Sequence, residues 1–531
     1  MNKKISKILT TASVVVMPLA SAVPVFAQTG KEENTTVENT ASVEIKGFDT
    51  EAADGMTVKA YRVVKPTYNG KNVIGFKPVG DLAFKNLKGD KEGKVTVSND
   101  EIQAAAKAIV ADASKFEKPT ELSFDKTTGV VTGKLAPGMY IVLVTGSGAT
   151  VYNPVLLSVN IKDANGGLAE DTPAFDIAST ENAFVKKSKP TLDKKITDEK
   201  GTDLKRDGDV VKYGDEVHFE IDTKLPSYKV GTDGTAHNNA QFQIVDKLDE
   251  GFDEVNLDKV EVYFEGEDKA LVKGTDYEIV REGHGFKITF AGNPLINNGG
   301  KGVKVKYGTK LNNKAKVDLD ANVNTAKIIY TRNPSEEPKD GDEDKTFHYT
   351  FTLKGCFDKV NDQKEHLKDA EFTMYEDAEC TKVLKIDGAD AVATTDENGD
   401  FHFKGLSTGT FYLKETKAPD GYALNDTTFK VVITASFKDS GVLENYQITV
   451  GDKDDAGTNK NVVDVAATFD DNGAKLTDQK LTAYEIKNIK ISKMPSTGGA
   501  GTLLFTAGGA TLFLSSAAAF LKAKKARKEN N

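Results

Sequence analysis

The sequence is poor in residues on which many secreted or catalytic proteins depend. Among its 531 residues there is no tryptophan, and there are only two cysteines and six histidines. Two cysteines allow at most one disulfide, between Cys356 and Cys380, which excludes a disulfide-rich scaffold. Whatever stabilises this chain must therefore be sought among its other side chains.

The usual signatures of hydrolytic enzymes and metal sites are also missing. The sequence has no HExxH and no GxSxG segment, and its histidines are scattered without metal-ligand spacing: His218, His237, His284, His348, His366 and His402. The net charge is -10, the pI is near 5.4, and no basic patch marks a nucleic-acid surface. We therefore expect a non-enzymatic protein that uses no cofactor and no metal and does not bind nucleic acid.

The N-terminus has the layout of a secretory signal peptide. Three lysines precede an apolar run from Val14 to Phe26, and Ala27 offers a small residue for cleavage. The run is short for a membrane span and is broken by Pro18 and Pro24. Residues 1–27 are therefore predicted to direct secretion and then to be removed.

The C-terminus carries a second targeting element of three ordered parts. The pentapeptide Met494–Gly498 is followed by an apolar stretch to Leu521, predicted to be a helix, and then by a basic tail. This order resembles the sorting signal of Gram-positive surface proteins, although that family usually has Leu where this chain has Met494. The resemblance implies that a sortase cleaves between Thr497 and Gly498 and joins the chain to peptidoglycan. Residues 494–531 form this element.

The body of the chain is predicted to be all-β. Alternating apolar and polar runs rich in Val, Ile, Thr, Tyr and Phe are separated by Gly, Asn and Asp turns. One helix is expected from Asp100 to Ala113, with Ser98 or Asn99 as its cap. We predict three Ig-like β-sandwich domains in series, with a basic linker at 186–190 and an acidic linker at 333–344; the domains span 28–185, 186–333 and 345–493.

Three polar residues of the last domain occupy positions where strand alternation predicts apolar ones. Glu415 shares its face with Phe411 and Leu413, and Asn488 shares its face with Tyr484 and Ile486. Lys359 falls on the same alternating positions as five apolar residues: Phe347, Tyr349, Phe351, Leu353 and Phe357. A buried carboxylate needs a partner, so the three side chains are expected to meet.

The segment from Lys404 to Leu424 resembles the YxLxETxAPxGY motif of CnaB-type domains, and Leu367–Phe372 resembles their LxGAxF segment. The resemblance implies that Lys359 and Asn488 join in an intramolecular isopeptide bond, with Glu415 as the catalytic acid. Burial favours the neutral amine of Lys359 and the protonated acid of Glu415. The amine is then a nucleophile, and the acid polarises the amide and moves protons as ammonia leaves.

The middle domain repeats this pattern. Lys194 lies between Leu192 and Ile196 on one strand face, and Asp246 shares a face with Phe242 and Ile244. Both segments resemble the middle domain of pilus shaft subunits, which implies that Asp246 takes the role of Glu415. Two asparagines compete as the amide partner. Asn333 is favoured because it stands at the domain end, whereas Asn324 shares a parity with Ala326, Ile328 and Tyr330.

The first domain and the following linker complete the set of predicted sites. Leu135–Leu143 resembles the CnaB strand but carries Ile141 and Val142 where an acid would stand, so no internal bond is expected in this domain. Shaft pilins join subunits through a lysine in a YPKN-type motif. The matching place here is Phe184–Ser188, with Lys186 as the first choice of acceptor and Lys187 as the second.

Together these features resemble a Gram-positive, sortase-assembled backbone pilin with CnaB-type isopeptide domains. The resemblance implies a covalent pilus shaft on the cell surface that supports adhesion. Its expected partners are pilus-class and housekeeping sortases, further copies of the chain, minor pilins, peptidoglycan and host surface ligands. The alternative is a wall-anchored CnaB-type adhesin that stays monomeric, or a minor pilin. The monomeric adhesin would not need a reactive linker lysine.

Overall fold

A computed structural model describes residues 40–491, apart from gaps at 51–54, 70–71, 86, 88–96, 147, 160–182, 229–239, 333–336, 454–460, 471–472 and 478–482. The predicted signal peptide and sorting signal, with Thr497 and Gly498, lie outside the described residues. Within the described part of the chain, no helix is long and apolar enough to cross a membrane. Strands dominate the secondary structure, which confirms the predicted all-β, multidomain fold.

Ten strands of the N-terminal unit lie among the described residues. They are β1 Ala41–Lys46, β2 Thr57–Asn69, β3 Asn72–Pro78, β4 Thr120–Asp125, β5 Val130–Leu135, β6 Gly138–Thr145, β7 Val151–Tyr152, β8 Val155–Val159, β9 Ala183–Phe184 and β10 Lys187–Ser188. One sheet has the order β8-β6-β2-β4-β5-β1-β9, with β3 added beside β2, and β10 pairs separately with β7. The predicted basic linker at 186–190 therefore begins with a short strand that returns to the N-terminal unit.

One helix packs on the N-terminal sheet, as the sequence predicts. Helix α1 runs from Asn99 to Ala111, and Ser98 caps it. The Ser98 hydroxyl accepts from the Glu101 backbone N–H at 3.3 Å, while the Glu101 carboxylate accepts from the Ser98 backbone N–H at 2.8 Å. The helix covers one core of the unit, and a second core lies on the other face of the sheet around Ile45 and Val142.

The middle unit is a sandwich of two sheets. Its strands are β11 Leu192–Thr197, β12 Gly208–Val210, β13 Glu216–Lys224, β14 Gln241–Leu248, β15 Glu261–Phe264, β16 Glu278–Glu282, β17 Gly285–Ala291, β18 Gly302–Lys310, β19 Asn322–Tyr330 and β20 Lys339–Tyr349. A short helix, α2, spans Gly292–Asn297. One sheet has the order β11-β13-β18-β15, and the other has the order β12-β20-β19-β14-β17-β16.

Strict alternation builds the core of the middle unit. In β19 every second residue from Asn322 to Tyr330 is buried, and β18 buries Val303, Val305 and Tyr307 in the same manner. Each inward face meets the opposite sheet across a core rich in phenylalanine. Burial of one such large apolar side chain stabilises the fold by about 1.5–3 kcal/mol. The two polar residues that interrupt the β19 face, Asn322 and Asn324, are therefore conspicuous.

The prediction of an acidic linker at 333–344 is wrong for its second half, which belongs to a strand. Strand β20 starts at Lys339, directly after Pro338, and pairs antiparallel with β19 from Tyr330–Lys339 to Asn322–His348. Its first part lies at the sheet edge, where charged residues are typical of strands that must not pair further. Composition suggests a linker here, but Thr346 and His348 at the far end of the strand are fully buried.

The C-terminal unit follows β20 without a spacer. Its strands are β21 Phe351–Leu353, β22 Phe357–Asn361, β23 Glu371–Tyr375, β24 Lys385–Ile386, β25 Ala389–Asp390, β26 Val392–Thr394, β27 Phe403–Leu406, β28 Gly409–Lys417, β29 Thr428–Phe437, β30 Leu443–Asp452, β31 Asn461–Asp470, β32 Gly473–Thr477 and β33 Tyr484–Asn488. The main sheet has the order β26-β23-β28-β29-β30-β31-β32, and the strand pairs β21-β27, β22-β33 and β24-β25 complete the unit.

The middle and C-terminal units make close backbone contact. The Tyr213 backbone N–H donates to the Gly405 carbonyl at 3.0 Å, and a Cβ on Gly405 would lie 2.2 Å from the Tyr213 ring. Gly405 also has a φ of +86°, so both its conformation and the contact require glycine. Short strand β12 pairs parallel with the end of β20, the strand that leads directly into the C-terminal unit.

His348 is a buried titratable group in the middle unit. Its ring meets the edges of Phe219 and Phe252 at centroid distances of 5.3 and 5.4 Å, and Nε2 lies 3.0 Å from the Thr346 hydroxyl. Burial first, and then the nearby charges of Lys194 and Arg206, lower the pKa of His348 to about 3. The folded state therefore holds the neutral ring.

We predict that this histidine makes the middle unit sensitive to acid. In the unfolded chain its pKa is about 6.5, so its contribution is complete above pH ~6.5 and is lost as the pH falls towards ~3, by up to about 5 kcal/mol. Thermal unfolding of residues 28–493 between pH 7 and 4 should show a shallower pH dependence in His348→Phe than in the wild type. Exposed His402→Phe should keep the wild-type slope, and equal slopes for His348→Phe and the wild type would contradict the assignment.

Candidate functional site

The C-terminal unit brings Lys359, Glu415 and Asn488 together. Strands β22 and β33, the second and last strands of the unit, pair in parallel with Lys359 opposite Ile486. Glu415 on β28 reaches the same point through the pairing of β28 with β23. All three polar side chains are at most 1% exposed, so the pairing of early and late strands forms a closed polar site inside the unit.

Every polar atom of this set has a partner. Lys359 Nζ donates to Asn488 Oδ1 and to the Ile486 carbonyl at 3.3 Å, and it lies 3.3 Å from Glu415 Oε1. Asn488 Nδ2 donates to both Glu415 oxygens, at 2.9 and 3.0 Å. The Asn425 backbone N–H donates to Glu415 Oε2 at 2.6 Å and fixes the carboxyl group. The amine therefore lies against the amide that the acid holds.

The surroundings of Lys359 favour a neutral amine. Burial lowers the pKa of Lys359, and the nearby carboxylate of Glu415 only partly opposes this effect. The ammonium position also lies 5.8 Å from the centre of the Phe372 ring, in an apolar wall. Gly399, with a φ of +73°, lets the neighbouring turn approach, because a Cβ there would lie 2.5 Å from the Lys359 carbonyl oxygen. An unprotonated lysine in this place is a nucleophile.

The middle unit holds a second set, which joins its two sheets. Lys194 on β11 comes from one sheet, and Asp246 on β14 comes from the other. Lys194 Nζ lies 2.7 Å from Asp246 Oδ1, and both side chains are fully enclosed. Burial lowers the pKa of Lys194 against the opposing charge of Asp246. The backbone N–H of Lys194 donates to Asp344 of β20 at 2.7 Å.

Asn324 is the asparagine that the described residues bring to this set. Asn324 lies on β19 beside Asp246 on β14, because Leu248 pairs with Asn324 and Asp246 pairs with Ala326. Its side chain is fully buried and Nδ2 donates to the Tyr307 hydroxyl at 2.8 Å. Asn333 lies outside the described residues. Tyr307 itself is a member of the set that sequence reasoning missed, although the alternation of β18 points it inward.

The two candidate acceptor lysines have different surroundings. Lys186 is exposed and has no ion-pair partner within the described part of the chain, while its carbonyl accepts from the Asn153 backbone N–H at 2.9 Å. Lys187 forms an ion pair with Asp49. Burial acts to raise the pKa of Asp49, but hydrogen bonds from Lys187 and Thr150 hold it below the usual value. Asp49 therefore remains an anion that retains Lys187.

The remaining polar candidates form no comparable site. In the N-terminal unit, Ile141 and Val142 are buried apolar residues, and the described residues of this unit include no buried lysine. Cys356 is buried with its pKa raised to about 12, Cys380 is half-buried, and the two are not bonded to each other. No group of three or more His, Cys, Asp or Glu that could hold a metal occurs among the residues described.

Comparison with known proteins places these features in a family context. Residues 355–447 match a model described as a SpaA prealbumin-like fold domain, residues 198–337 match the Sgo0707 N2 domain, and residues 487–531 match the LPXTG cell wall anchor motif. The last match confirms that the C-terminus is a sorting signal for the cell wall. The middle match runs up to the edge of β20, which the sandwich uses as its further strand.

A known protein and a solved structure are each similar to this chain over most of its length. The trypsin-resistant surface T6 protein of Streptococcus pyogenes serotype M6 is 26% identical over 540 residues, which include 90% of this chain and 93% of that protein. The solved structure of the T6 backbone pilin of serotype M6 S. pyogenes, a modular three-domain protein, has a TM-score of 0.58 and 20% identity, with 86% of this chain and all of that one covered. The predicted resemblance to Gram-positive backbone pilins is confirmed.

We predict that the two linker lysines differ in reactivity. An acylating N-hydroxysuccinimide ester at neutral pH should label Lys186 faster than Lys187, because the Lys187 amine is engaged by Asp49. Peptide mass spectrometry of residues 28–493 measures both rates in one sample. In Asp49→Asn the rate at Lys187 should rise by up to about fivefold, since an exposed pair contributes at most about 1 kcal/mol. The rate at Lys186 should stay constant. An unchanged rate at Lys187 would contradict the ion pair.

Proposed function

We propose that this chain is the shaft subunit of a covalent pilus, polymerised by a sortase and anchored to the cell wall. One observation carries the proposal: a chain that ends in a cell wall anchor motif is similar over 90% of its length to the T6 surface protein, whose solved counterpart is a backbone pilin. Its role is structural. The wall-anchored, secreted location follows from the anchor motif at 487–531.

The donor end of the polymer is the bond between Thr497 and Gly498. A pilus-class sortase cleaves this bond with its cysteine and holds Thr497 as an acyl group until an amine attacks. A neighbouring subunit or a minor pilin supplies this amine during assembly, and peptidoglycan supplies it when the housekeeping sortase ends the fibre. Host surface ligands then meet a fibre rather than a single domain, and this supports adhesion.

Lys186 is the proposed acceptor amine of the next subunit. The contrast between the two lysines supports this choice, because Lys187 is held by Asp49 and the exposed Lys186 side chain has no such partner in the described structure. The Lys186 backbone is nevertheless fixed through its hydrogen bond to Asn153. An exposed amine suits an acceptor that must enter the active site of a sortase. A fixed backbone suits a residue that must later carry load.

The buried C-terminal set supports an intramolecular bond between Lys359 and Asn488. The neutral Lys359 amine attacks Cγ of Asn488, the Cγ–Nδ2 bond breaks, and ammonia leaves. Glu415 accepts a proton from the attacking nitrogen and delivers one to Nδ2, so that protons balance. Hydrogen bonds from Asn488 to both Glu415 oxygens hold the amide in place, and this proximity replaces an encounter in solution.

The middle set supports a second bond, between Lys194 and Asn324, with Asp246 as the acid. Lys194 Nζ and Asn324 Nδ2 lie 2.7 and 2.8 Å from the same Tyr307 hydroxyl, which brings the amine and the amide into one enclosed group. Asn333, favoured by sequence, is the alternative partner. The strand order argues against it, because β19 is followed by β20 and the domain does not end where Asn333 stands.

These bonds suit a fibre under tension. Force enters each subunit near Lys186 and leaves it through Thr497, so it passes through the middle and C-terminal units. A bond from β11 to β19 and a bond from β22 to β33 hold each unit closed even when its hydrogen bonds yield. They also restrict the unfolded chain, as a disulfide does, but without dependence on redox state.

We predict that intact mass of residues 28–493, made as soluble protein, falls short of the sequence mass by two ammonia molecules. Glu415→Ala should remove the loss in the C-terminal unit alone, and Asp246→Ala should remove the loss in the middle unit alone. A matched pair identifies the amide partner: Asn324→Ala should abolish the middle loss, whereas Asn333→Ala should keep it. A wild-type mass equal to the sequence mass would refute both bonds.

We predict that wall-extracted protein forms a ladder of high-mass bands in boiling SDS, because the subunits are joined covalently. Lys186→Ala should collapse the ladder to monomer, while Lys187→Ala should keep it. Immunoblotting of cells that carry each variant measures the outcome, and surface display of the monomer shows that the variant is still exported. A single monomeric species in the wild type would instead support the wall-anchored adhesin.

A further inference from the structure

The two buried sets differ in how the acid reaches the amide. In the C-terminal unit Glu415 contacts Asn488 Nδ2 directly, at 2.9 and 3.0 Å. In the middle unit the acid is Asp246, whose side chain is one methylene shorter. The hydrogen bond from Asn324 Nδ2 goes instead to the Tyr307 hydroxyl at 2.8 Å. The Tyr307 hydroxyl therefore contacts the amide nitrogen in the middle unit, as the Glu415 carboxylate does in the C-terminal unit.

Tyr307 contacts every reacting side chain of the middle set. Its oxygen accepts from Lys194 Nζ at 2.7 Å and from Asn324 Nδ2 at 2.8 Å, and its hydroxyl donates to Asp246 Oδ2. A tyrosine hydroxyl has one donor and two acceptor sites, and all three are used here. Burial first, and then the charge of Asp246, raise the pKa of Tyr307 well above its usual value, so the hydroxyl keeps its proton.

The aromatic ring is held in a single place. It stacks on Phe219 at a centroid distance of 5.2 Å and an interplanar angle of 24°, and it meets the edge of Phe286 at 5.0 Å. By contrast, Asn324 Oδ1 is buried with no hydrogen-bond partner among the described residues. Among the described residues, the Asn324 amide is therefore held through its nitrogen alone, by the Tyr307 hydroxyl.

We propose that Tyr307 is a catalytic residue of the Lys194–Asn324 bond, which relays a proton between Asp246 and the departing amide nitrogen. The proposal rests on the proposed function, because it presumes that this bond forms. The hydroxyl extends the short aspartate to the amide, so that Asp246 and Tyr307 together do what Glu415 does alone. The two units then reach the same chemistry with different acids.

The proton balance of the step is complete. Lys194 Nζ bonds to Cγ of Asn324, and the attacking nitrogen passes one proton to the Tyr307 oxygen as the Tyr307 hydroxyl gives its own proton to Asp246 Oδ2. Asp246 Oδ2 then returns that proton to the Tyr307 oxygen as Tyr307 gives the proton it received from the amine to Asn324 Nδ2. The Cγ–Nδ2 bond then breaks and ammonia leaves. Asp246 and Tyr307 end in the protonation states in which they began, so no outside reactant is needed.

The test is the rate of bond formation in newly made protein. Residues 28–493 are produced by cell-free synthesis and stopped at intervals, and digestion followed by mass spectrometry measures the Lys194–Asn324 cross-linked peptide. Tyr307→Phe, which removes only the hydroxyl, should slow this bond by about 10²–10⁴-fold, the usual effect of a positioned proton-transfer group. The Lys359–Asn488 bond in the same molecules should form at the wild-type rate and serves as an internal reference.

Two further variants separate catalysis from stability. Tyr228→Phe removes another buried hydroxyl of the middle core, one that bonds to the Thr331 carbonyl, and should leave the rate unchanged. Asp246→Glu in the Tyr307→Phe background adds the missing methylene and should restore much of the rate, because the longer acid can reach the amide directly. Rescue of this kind does not follow from a merely structural tyrosine.

Each outcome bears on one claim. Absence of the middle bond in the wild type overturns the proposed bond itself, whereas a wild-type bond that forms equally fast in Tyr307→Phe overturns only the relay. If Tyr307→Phe fails to fold, fluorotyrosine placed at position 307 alone preserves the hydroxyl and changes its acidity. The rate should then change with the acidity of the phenol, and an unchanged rate overturns the relay.

Discussion

A lysine amine held out of water beside an acid and an amide is the constraint on which the middle and C-terminal units depend. A buried ammonium is costly, and burial accordingly lowers the pKa of both Lys194 and Lys359. The cost of burying the lysine is tolerable only if the strand register places the acid and the amide beside its amine. That requirement fixes which strands must be neighbours: β22 with β33 in one unit, and β11 facing β14 and β19 in the other.

The same constraint explains how the units are joined. Strand β20 pairs with β19 in the sheet of the middle unit and then leads into the C-terminal unit. Its Asp344 carboxylate accepts a hydrogen bond from the backbone N–H of Lys194. The hydrogen bond from Tyr213 to Gly405 and the close packing at this glycine hold the two units in contact. The two units are therefore joined by a strand of the middle sheet rather than by a free linker.

Strand parity in the sequence predicted which polar side chains face inward, and what it missed has a physical cause. An inward polar residue between apolar neighbours pointed to Lys359, Glu415, Lys194 and Asp246. Asn333 was preferred over Asn324 by analogy with a domain end, and because Asn333 lies outside the described residues that choice stays a prediction. Tyr307 was missed because an inward tyrosine is ordinary in a core, and only the third dimension shows that its hydroxyl meets three polar groups.

The central claim is that one chain carries three covalent amide bonds beyond its backbone, two within a subunit and one to its neighbour. Tandem mass spectrometry of cross-linked peptides from wall-extracted fibres tests it most directly, because it reads all three in native material. We expect peptides that join Lys194 to Asn324, Lys359 to Asn488, and Lys186 to Thr497 of another copy. Recovery of these lysines only in unmodified linear peptides would contradict the account.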